Sequence, residues 1–217
     1  MFKERLKSIW YWLSRNVCRL FCIFFFSFRV HGLENIPEEG SFILASNHQS
    51  YLDPVLCGVS IKRPLHFIAR DTLFTNRFFK WLLLSVNAIP LRRDEADISA
   101  VRTVIKKLRQ GCGVCLFPEA TRTSNGKIVS LKPGFGLLCR HGNASLVPVV
   151  IDGAFECWPR DKKFFSRGTI VVCYGEVIPA EELQQKGNKQ IADEFTNVLR
   201  RMQTDIRKKL GKEPFVY

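Results

Sequence analysis

The sequence contains no uninterrupted apolar run of the roughly 20 residues that a membrane-spanning helix needs. Its first 28 residues come nearest, but Arg15, Asn16 and Arg19 break them up. That stretch also lacks an Ala-x-Ala-like cleavage site after an unbroken apolar core, so no cleavable signal peptide is expected. Acidic residues are scarce: 20 Asp and Glu stand against 33 Lys and Arg, a formal net charge of +13. Such an excess favours anionic partners, whether phospholipid head groups, nucleic acid, or phosphorylated or acidic substrates. Cys112-x-x-Cys115 has no second cysteine pair, which argues against zinc, and no metal is expected. No Gly-x-Ser-x-Gly elbow surrounds Ser50, so that hydroxyl is not read as a nucleophile. Arg-rich loops without an aromatic stacking platform or a known motif argue against nucleic acid. Internal repeats and low-complexity linkers are absent as well.

What is present suits one globular domain with a real core: 217 residues, 46% hydrophobic and 24% charged. The eight cysteines sit mostly inside apolar runs, such as Gly113-Val114-Cys115-Leu116, and read as buried free thiols in a reducing compartment. After a turn-rich boundary at Asn35-Ile36-Pro37-Glu38-Glu39-Gly40, strands and helices alternate. Strands are expected at 42–45, 66–69, 88–91, 114–117, 146–151 and 169–174. Helices are expected at 50–59, 76–86, 98–109 and 134–140, with one helical stretch over 180–210. This alternation predicts an α/β domain, a largely parallel central sheet flanked by helices, with active groups at the carboxyl ends of strands. The organisation expected is an N-terminal helical segment, 1–31, and a domain over 32–217.

On a helical wheel, Lys3, Lys7, Ser14, Arg15 and Arg19 share one side of the N-terminal segment with Tyr11. Ile9, Trp12, Leu13, Val17, Leu20 and Phe24 take the other. Cationic side chains opposite Trp and Phe suit an amphipathic helix lying in the head-group layer. A helix packed on the domain's own core is the competing reading.

The chemistry centres on Ser46-Asn47-His48-Gln49-Ser50-Tyr51-Leu52-Asp53. A strand ending at Ala45 and a helix beginning near Ser50 would leave His48 in a turn, with Asp53 one helical turn further on. A carboxylate on one ring nitrogen fixes the tautomer and frees the other nitrogen to take a proton. A His-x4-Asp pair also recurs by chance, and a loop histidine is usually just solvated. Other candidates follow the remaining strands: Arg70 after the second, Arg93 after the third, and Glu119 and Arg122 after the fourth. Loops at strand carboxyl ends converge, so these groups could face His48. Arginine binds phosphate in a fixed fork geometry, though any one of them is more often a surface charge.

Asn47-His48-Gln49-Ser50-Tyr51-Leu52-Asp53 resembles the His-x4-Asp block of the glycerolipid acyltransferases, the lysophosphatidic acid acyltransferase family. Ala88-Ile89-Pro90-Leu91-Arg92-Arg93 is similar to the second block, with Asn87 where a glycine is usual. Phe117-Pro118-Glu119-Ala120-Thr121-Arg122 is similar to the third, with Ala120 replacing glycine. Leu131-Lys132-Pro133-Gly134 and Val147-Pro148-Val149 resemble the two that follow, so the likeness spans roughly Gly32 to Pro179. If the replaced glycine permits a positive φ or a close approach to substrate, the Ala120 methyl narrows the acceptor pocket.

The resemblance implies that His48 deprotonates an acceptor hydroxyl while Asp53 orients it, with no acyl-enzyme. Arg93 and Arg122 would hold the acceptor's phosphate, and Glu119 would orient Arg122 or a hydroxyl. Thr121 would join the acceptor site, and Arg70 and Lys132 would add positive potential. The implied reaction moves an acyl group from acyl carrier protein or coenzyme A to lysophosphatidic acid, without a cofactor. The implied setting is an anionic phospholipid membrane, on its cytoplasmic face, with the protein a monomer. Glycerol-3-phosphate or another lysophospholipid is the alternative acceptor. A non-catalytic membrane adaptor is the alternative class.

Overall fold

Phe42-Ile43-Leu44-Ala45 is apolar at every position, the pattern of a strand covered on both faces. The computed structural model describes residues 2–92 and 97–217 and places that run in the middle of a sheet. In chain order the elements are helix α1 (Phe2–Phe25), strand β1 (Ser27–His31), β2 (Phe42–Ser46), α2 (Asp53–Gly58), β3 (Leu65–Arg70), α3 (Arg77–Ser85), β4 (Ala88–Leu91), α4 (Ile98–Arg109), β5 (Gly113–Leu116), α5 (Gly134–Gly142), β6 (Ser145–Asp152), α6 (Ala154–Cys157), β7 (Thr169–Tyr174), α7 (Ala180–Gln184) and α8 (Asn188–Lys209).

The seven strands run in the order β1-β7-β6-β2-β5-β3-β4. Every pairing is parallel except β6 with β7. Side chains alternate across β2 and join two separate cores. Ile43 and Ala45 pack with Val104 and Leu108 of α4, Leu138 of α5 and Phe195 and Leu199 of α8. Phe42 and Leu44 pack on the other face with Cys22 of α1 and Leu56 and Cys57 of α2. Each such side chain, fully buried, contributes about 1.5–3 kcal/mol, so the two cores clamp the sheet between helical layers. All eight thiols are free and five are buried.

The chain order reverses about β2. The path goes from β2 out to β3 and β4, returns to insert β5 beside β2, and then places β6 on the other side. In open α/β sheets such a reversal opens a crevice at the carboxyl ends of the strands. The loops leaving β2 and β5 therefore emerge side by side, with Ala45 level with Leu116.

Three departures from the sequence reading have local causes. β1 was not expected. It pairs in parallel with β7 over Ser27–His31, at the edge of the sheet, where neither face is fully covered. The helix expected from Ser50 starts instead at Asp53, because the Asp53 side chain folds back onto the backbone N–H groups of Gln49 and Ser50. Pro54 then opens the first turn, where its missing N–H is not needed. The long stretch expected over 180–210 divides at Gly187 into α7 and α8.

Helix α1 lies against the domain by a polar side. Tyr11 accepts a hydrogen bond from the Leu65 backbone N–H at 3.0 Å, and Arg15 donates to the carbonyl of Ile61 at 2.7 Å. Trp10 donates to the Ser85 hydroxyl at 2.9 Å. Cys22 and the following Phe26 are buried, whereas Ile9, Trp12, Val17, Leu20 and Phe24 are exposed. Among the described residues no helix is long and apolar enough to cross a membrane.

Candidate active site

Strand β2 ends in a buried polar segment rather than a helix. Asn47 fixes its start by a two-way amide contact with β6, donating to the Ile151 carbonyl at 2.9 Å and accepting from the Ile151 N–H at 2.8 Å. The next residue, His48, turns its imidazole toward Asp53, with Nδ1 2.7 Å from Oδ2. That same oxygen accepts the N–H groups of Gln49 at 2.5 Å and Ser50 at 2.8 Å. Three donors on one oxygen suit an ionised carboxylate. Burial pushes the Asp53 carboxyl upward, and the hydrogen bonds from His48, Ser50 and Gln49 oppose that push. With Nδ1 held by Asp53, the ring's acceptor is Nε2, and no described residue hydrogen-bonds to it.

The loop after β5 closes over this turn. Phe117 stacks on the His48 ring, with centroids 4.3 Å apart. Glu119 is buried and spans two segments: its Oε1 accepts the His48 backbone N–H at 2.7 Å and its Oε2 the Val129 N–H at 3.3 Å. Burial raises its carboxyl to about 7, against the pull of those two N–H groups. Thr123 N–H returns to the His48 carbonyl at 2.8 Å. His48 is thus fixed by its ring, its N–H and its carbonyl.

The other candidate residues are placed less closely. Arg122 lays its guanidinium carbon 3.5 Å from the centroid of the Tyr51 ring, and its Nη1 is buried without a hydrogen-bond partner. It forms no ion pair with Glu119 among the described residues, which leaves the other expected role of Glu119, orienting a hydroxyl. Thr121 and Lys132 are exposed, the latter donating its backbone N–H to the Pro118 carbonyl at 2.9 Å. Arg70 is exposed at the carboxyl end of β3, beside β5 at the same end of the sheet as His48. Arg93 lies outside the described residues. Ser50 donates its hydroxyl to the Trp158 carbonyl at 2.8 Å, which ties the turn to the loop after α6.

Sequence reasoning passed over several contributors. Gln49 bridges the loop after β5 and the first turn of α6, donating to the Gly126 carbonyl at 3.3 Å and accepting from the Phe155 N–H at 3.2 Å. Tyr51 carries the Arg122 stack and lies 5.6 Å from Trp158. The signal for both lay inside the Asn47–Asp53 block, but nothing in a single sequence says which of its uncharged residues meet a distant loop. Ala120 takes φ +61° and Asn87 φ +64°. These are the two positions where the resembling blocks carry glycine, and the left-handed backbone accounts for that preference.

A buried carboxylate–imidazole pair at the mouth of a largely parallel sheet, with the Arg122 guanidinium on the adjoining loop and Arg70 at the end of β3, can take a proton from a hydroxyl next to an anionic group. The comparisons with known proteins point the same way. The family described as Acyltransferase matches residues 27–152, which hold His48, Asp53, Arg93, Glu119 and Arg122. A Bacillus subtilis protein named 1-acyl-sn-glycerol-3-phosphate acyltransferase is 29% identical over 185 residues, 85% of this chain and 90% of that one. A Streptococcus pneumoniae protein of the same name is 26% identical over 181 residues, 82% of this chain and 64% of its own length. Among solved structures, the 1-acyl-sn-glycerophosphate (LPA) acyltransferase PlsC of Thermotoga maritima superposes with a TM-score of 0.71. It is 26% identical, over 82% of this chain and 71% of that one. With more than half its length matched and His48, Asp53, Glu119 and Arg122 brought to one end of the sheet, the chain belongs to the Acyltransferase family and is an acyltransferase.

Proposed function

We propose that the protein transfers a fatty acyl group from an acyl thioester to the sn-2 hydroxyl of 1-acyl-glycerol-3-phosphate, giving phosphatidic acid. His48 Nε2 takes the hydroxyl proton as the oxygen attacks the thioester carbonyl. Asp53 holds the ring and stabilises the imidazolium that forms. Collapse of the tetrahedral intermediate expels the carrier thiolate, which takes the proton back from His48. No acyl-enzyme forms, and no metal or cofactor takes part. Arg122 and Arg93 hold the acceptor phosphate, and Thr121, Arg70 and Lys132 border the same opening. Glu119 acts through His48, whose backbone it fixes. The donor is an acyl carrier protein or coenzyme A thioester.

The observation that carries this reading is the 2.7 Å contact between His48 Nδ1 and Asp53 Oδ2, on a turn whose Nε2 has no described partner. The names of the relatives support the acceptor. The exposed apolar side of α1 supports a setting on an anionic membrane surface, where the lysolipid acceptor and a long acyl chain partition, and the reading places it at the cytoplasmic face. The test is a panel of acceptors with both donors, the products separated by thin-layer chromatography. Phosphatidic acid formed from lysophosphatidic acid is expected. Transfer confined to glycerol-3-phosphate or to another lysophospholipid would replace the acceptor, and no transfer to any would leave the non-catalytic adaptor.

A further inference from the structure

Six of the nine residues of helix α3, Arg-Phe-Phe-Lys-Trp-Leu-Leu-Leu-Ser, are apolar or aromatic, yet none of them is buried. Phe78 is 63% exposed, and Phe79 and Trp81 are each 55% exposed. The loop over 158–167 shows a similar imbalance at Phe164, which is 76% exposed. Soluble surfaces carry single exposed aromatics without consequence, but a contiguous patch marks a partner.

Both elements border α1 on one edge. Trp10 meets Trp81 with ring centroids 5.5 Å apart, and Phe21 meets Phe165 at the same separation. Trp10 and Phe21 are about three helical turns apart, so they lie on one line along the helix. The exposed apolar side of α1 therefore continues into α3 at one end and into the loop at the other. The loop leaves the sheet at a strand carboxyl end, after β6 and α6, whereas α3 crosses from the carboxyl end of β3 back to the start of β4, where its last residue, Ser85, meets Trp10. The carboxyl end, which the loop reaches, is the one that carries His48 and Glu119. Trp158, at the start of the loop, contacts Tyr51, on which Arg122 stacks.

Charge selects the partner. Exposed Arg77 and Lys80 flank the α3 aromatics, and exposed Arg160, Lys162, Lys163 and Arg167 surround Phe164, against a single acid, Asp161. Aromatic side chains set among cations match the head-group layer of an anionic bilayer, where rings sit at the boundary and Lys and Arg meet lipid phosphate. We infer that α3 and the 158–167 loop are two further lipid contacts beside α1, so that an anionic bilayer lies along the α1–α3 face and reaches the catalytic end of the sheet at the loop. This rests on the proposed membrane setting and adds to it where the surface lies. It gives the exposed aromatics of α3 and Phe164 one purpose: holding the lipid surface along α1, with the loop bringing it to the opening that contains His48.

The test is co-sedimentation of full-length protein with vesicles of phosphatidylcholine alone or mixed with phosphatidylglycerol. Two variants leave α1 untouched. Phe78→Glu with Phe79→Glu places acids in the first turn of α3, where the helix dipole favours them, so the helix is retained. Phe164→Asp changes an exposed loop residue. Activity on a water-soluble short-chain acceptor, without vesicles, reports folding of the site. At about tenfold for each Phe withdrawn, the double variant is expected to bind mixed vesicles about a hundredfold more weakly and Phe164→Asp about tenfold, with soluble activity unchanged. Lys162→Gln with Lys163→Gln is expected to lose about fivefold per charge on mixed vesicles only. Wild-type binding preserved in all three variants would overturn the inference while leaving α1 as the membrane contact. Failure of the wild type to bind either vesicle would overturn the membrane setting and the inference together. A variant that loses vesicle binding and soluble activity alike would overturn it too, the aromatics then being structural.

Discussion

His48 Nδ1 and Asp53 Oδ2 are 2.7 Å apart, and that oxygen also accepts the two backbone N–H groups that hold the turn open. One carboxylate therefore sets both the imidazole tautomer and the loop that presents it. Asp53→Asn can keep the shape of the side chain but cannot supply three acceptor interactions at one oxygen without turning its NH2 into the protein. Turnover is expected to fall by about 100- to 10,000-fold, the range for a positioned base. The acceptor KM is expected to change far less. A steady-state comparison decides, and a variant with near wild-type kcat would show that the pair does not work as a unit.

Glu119 behaves differently because it is buried away from any described cation pair. Its carboxyl is raised to about 7 from an ordinary 4.5, chiefly by burial. The folded chain then holds that proton more tightly than the unfolded chain. Its contribution to stability is full below the unfolded value and is lost as pH climbs through the folded one. The loss amounts to about 3 kcal/mol between those two values. Denaturant melts of wild type and Glu119→Gln across pH 4 to 8 test this. The wild type is expected to lose more stability than the variant over the range, and parallel profiles would contradict the burial argument.

Ala120 sits at φ +61°, where a Cβ is strained by about 1–2 kcal/mol. Glycine removes that strain but adds about 0.5–1 kcal/mol of chain entropy to the unfolded state. Ala120→Gly is therefore expected to stabilise the protein slightly, by about 0.5–1 kcal/mol, or roughly 2 °C in Tm. A lower Tm would mean that the methyl makes a contact worth more than the strain.

Tyr11 supplies the acceptor for the Leu65 N–H at the start of β3. Tyr11→Phe leaves that donor unsatisfied beneath α1, a loss of about 1–3 kcal/mol. Thermal melts should show it, with His48-dependent activity per folded molecule unchanged. An unaltered Tm would indicate that α1 rests on the domain through its other contacts alone.

These particulars mark how far the sequence could be read. The parallel strands β2, β5 and β6 were legible because burial on both faces makes them continuously apolar, and α4 because its apolar residues keep the helical period. Ser27–His31 was not legible as a strand. As an edge strand alternating a Phe and a Val with polar residues, it owes its form to pairing with β7, 142 residues away in register. Periodicity divided α1 into two sides but could not say which side meets the domain, since Tyr11 and Arg15 find partners on β3 and after α2. In the site, the His48–Asp53 contact followed from local spacing. The roles of Gln49 and Tyr51 depend on Gly126, Phe155 and Arg122, which only the fold brings near.

The most direct measurement is transfer of a labelled acyl group to lysophosphatidic acid in anionic mixed micelles by purified wild type and His48→Ala, with circular dichroism confirming equal folding. The account predicts labelled phosphatidic acid from the wild type and a loss of about 100- to 10,000-fold in the variant. A folded His48→Ala protein that makes phosphatidic acid at the wild-type rate would contradict it.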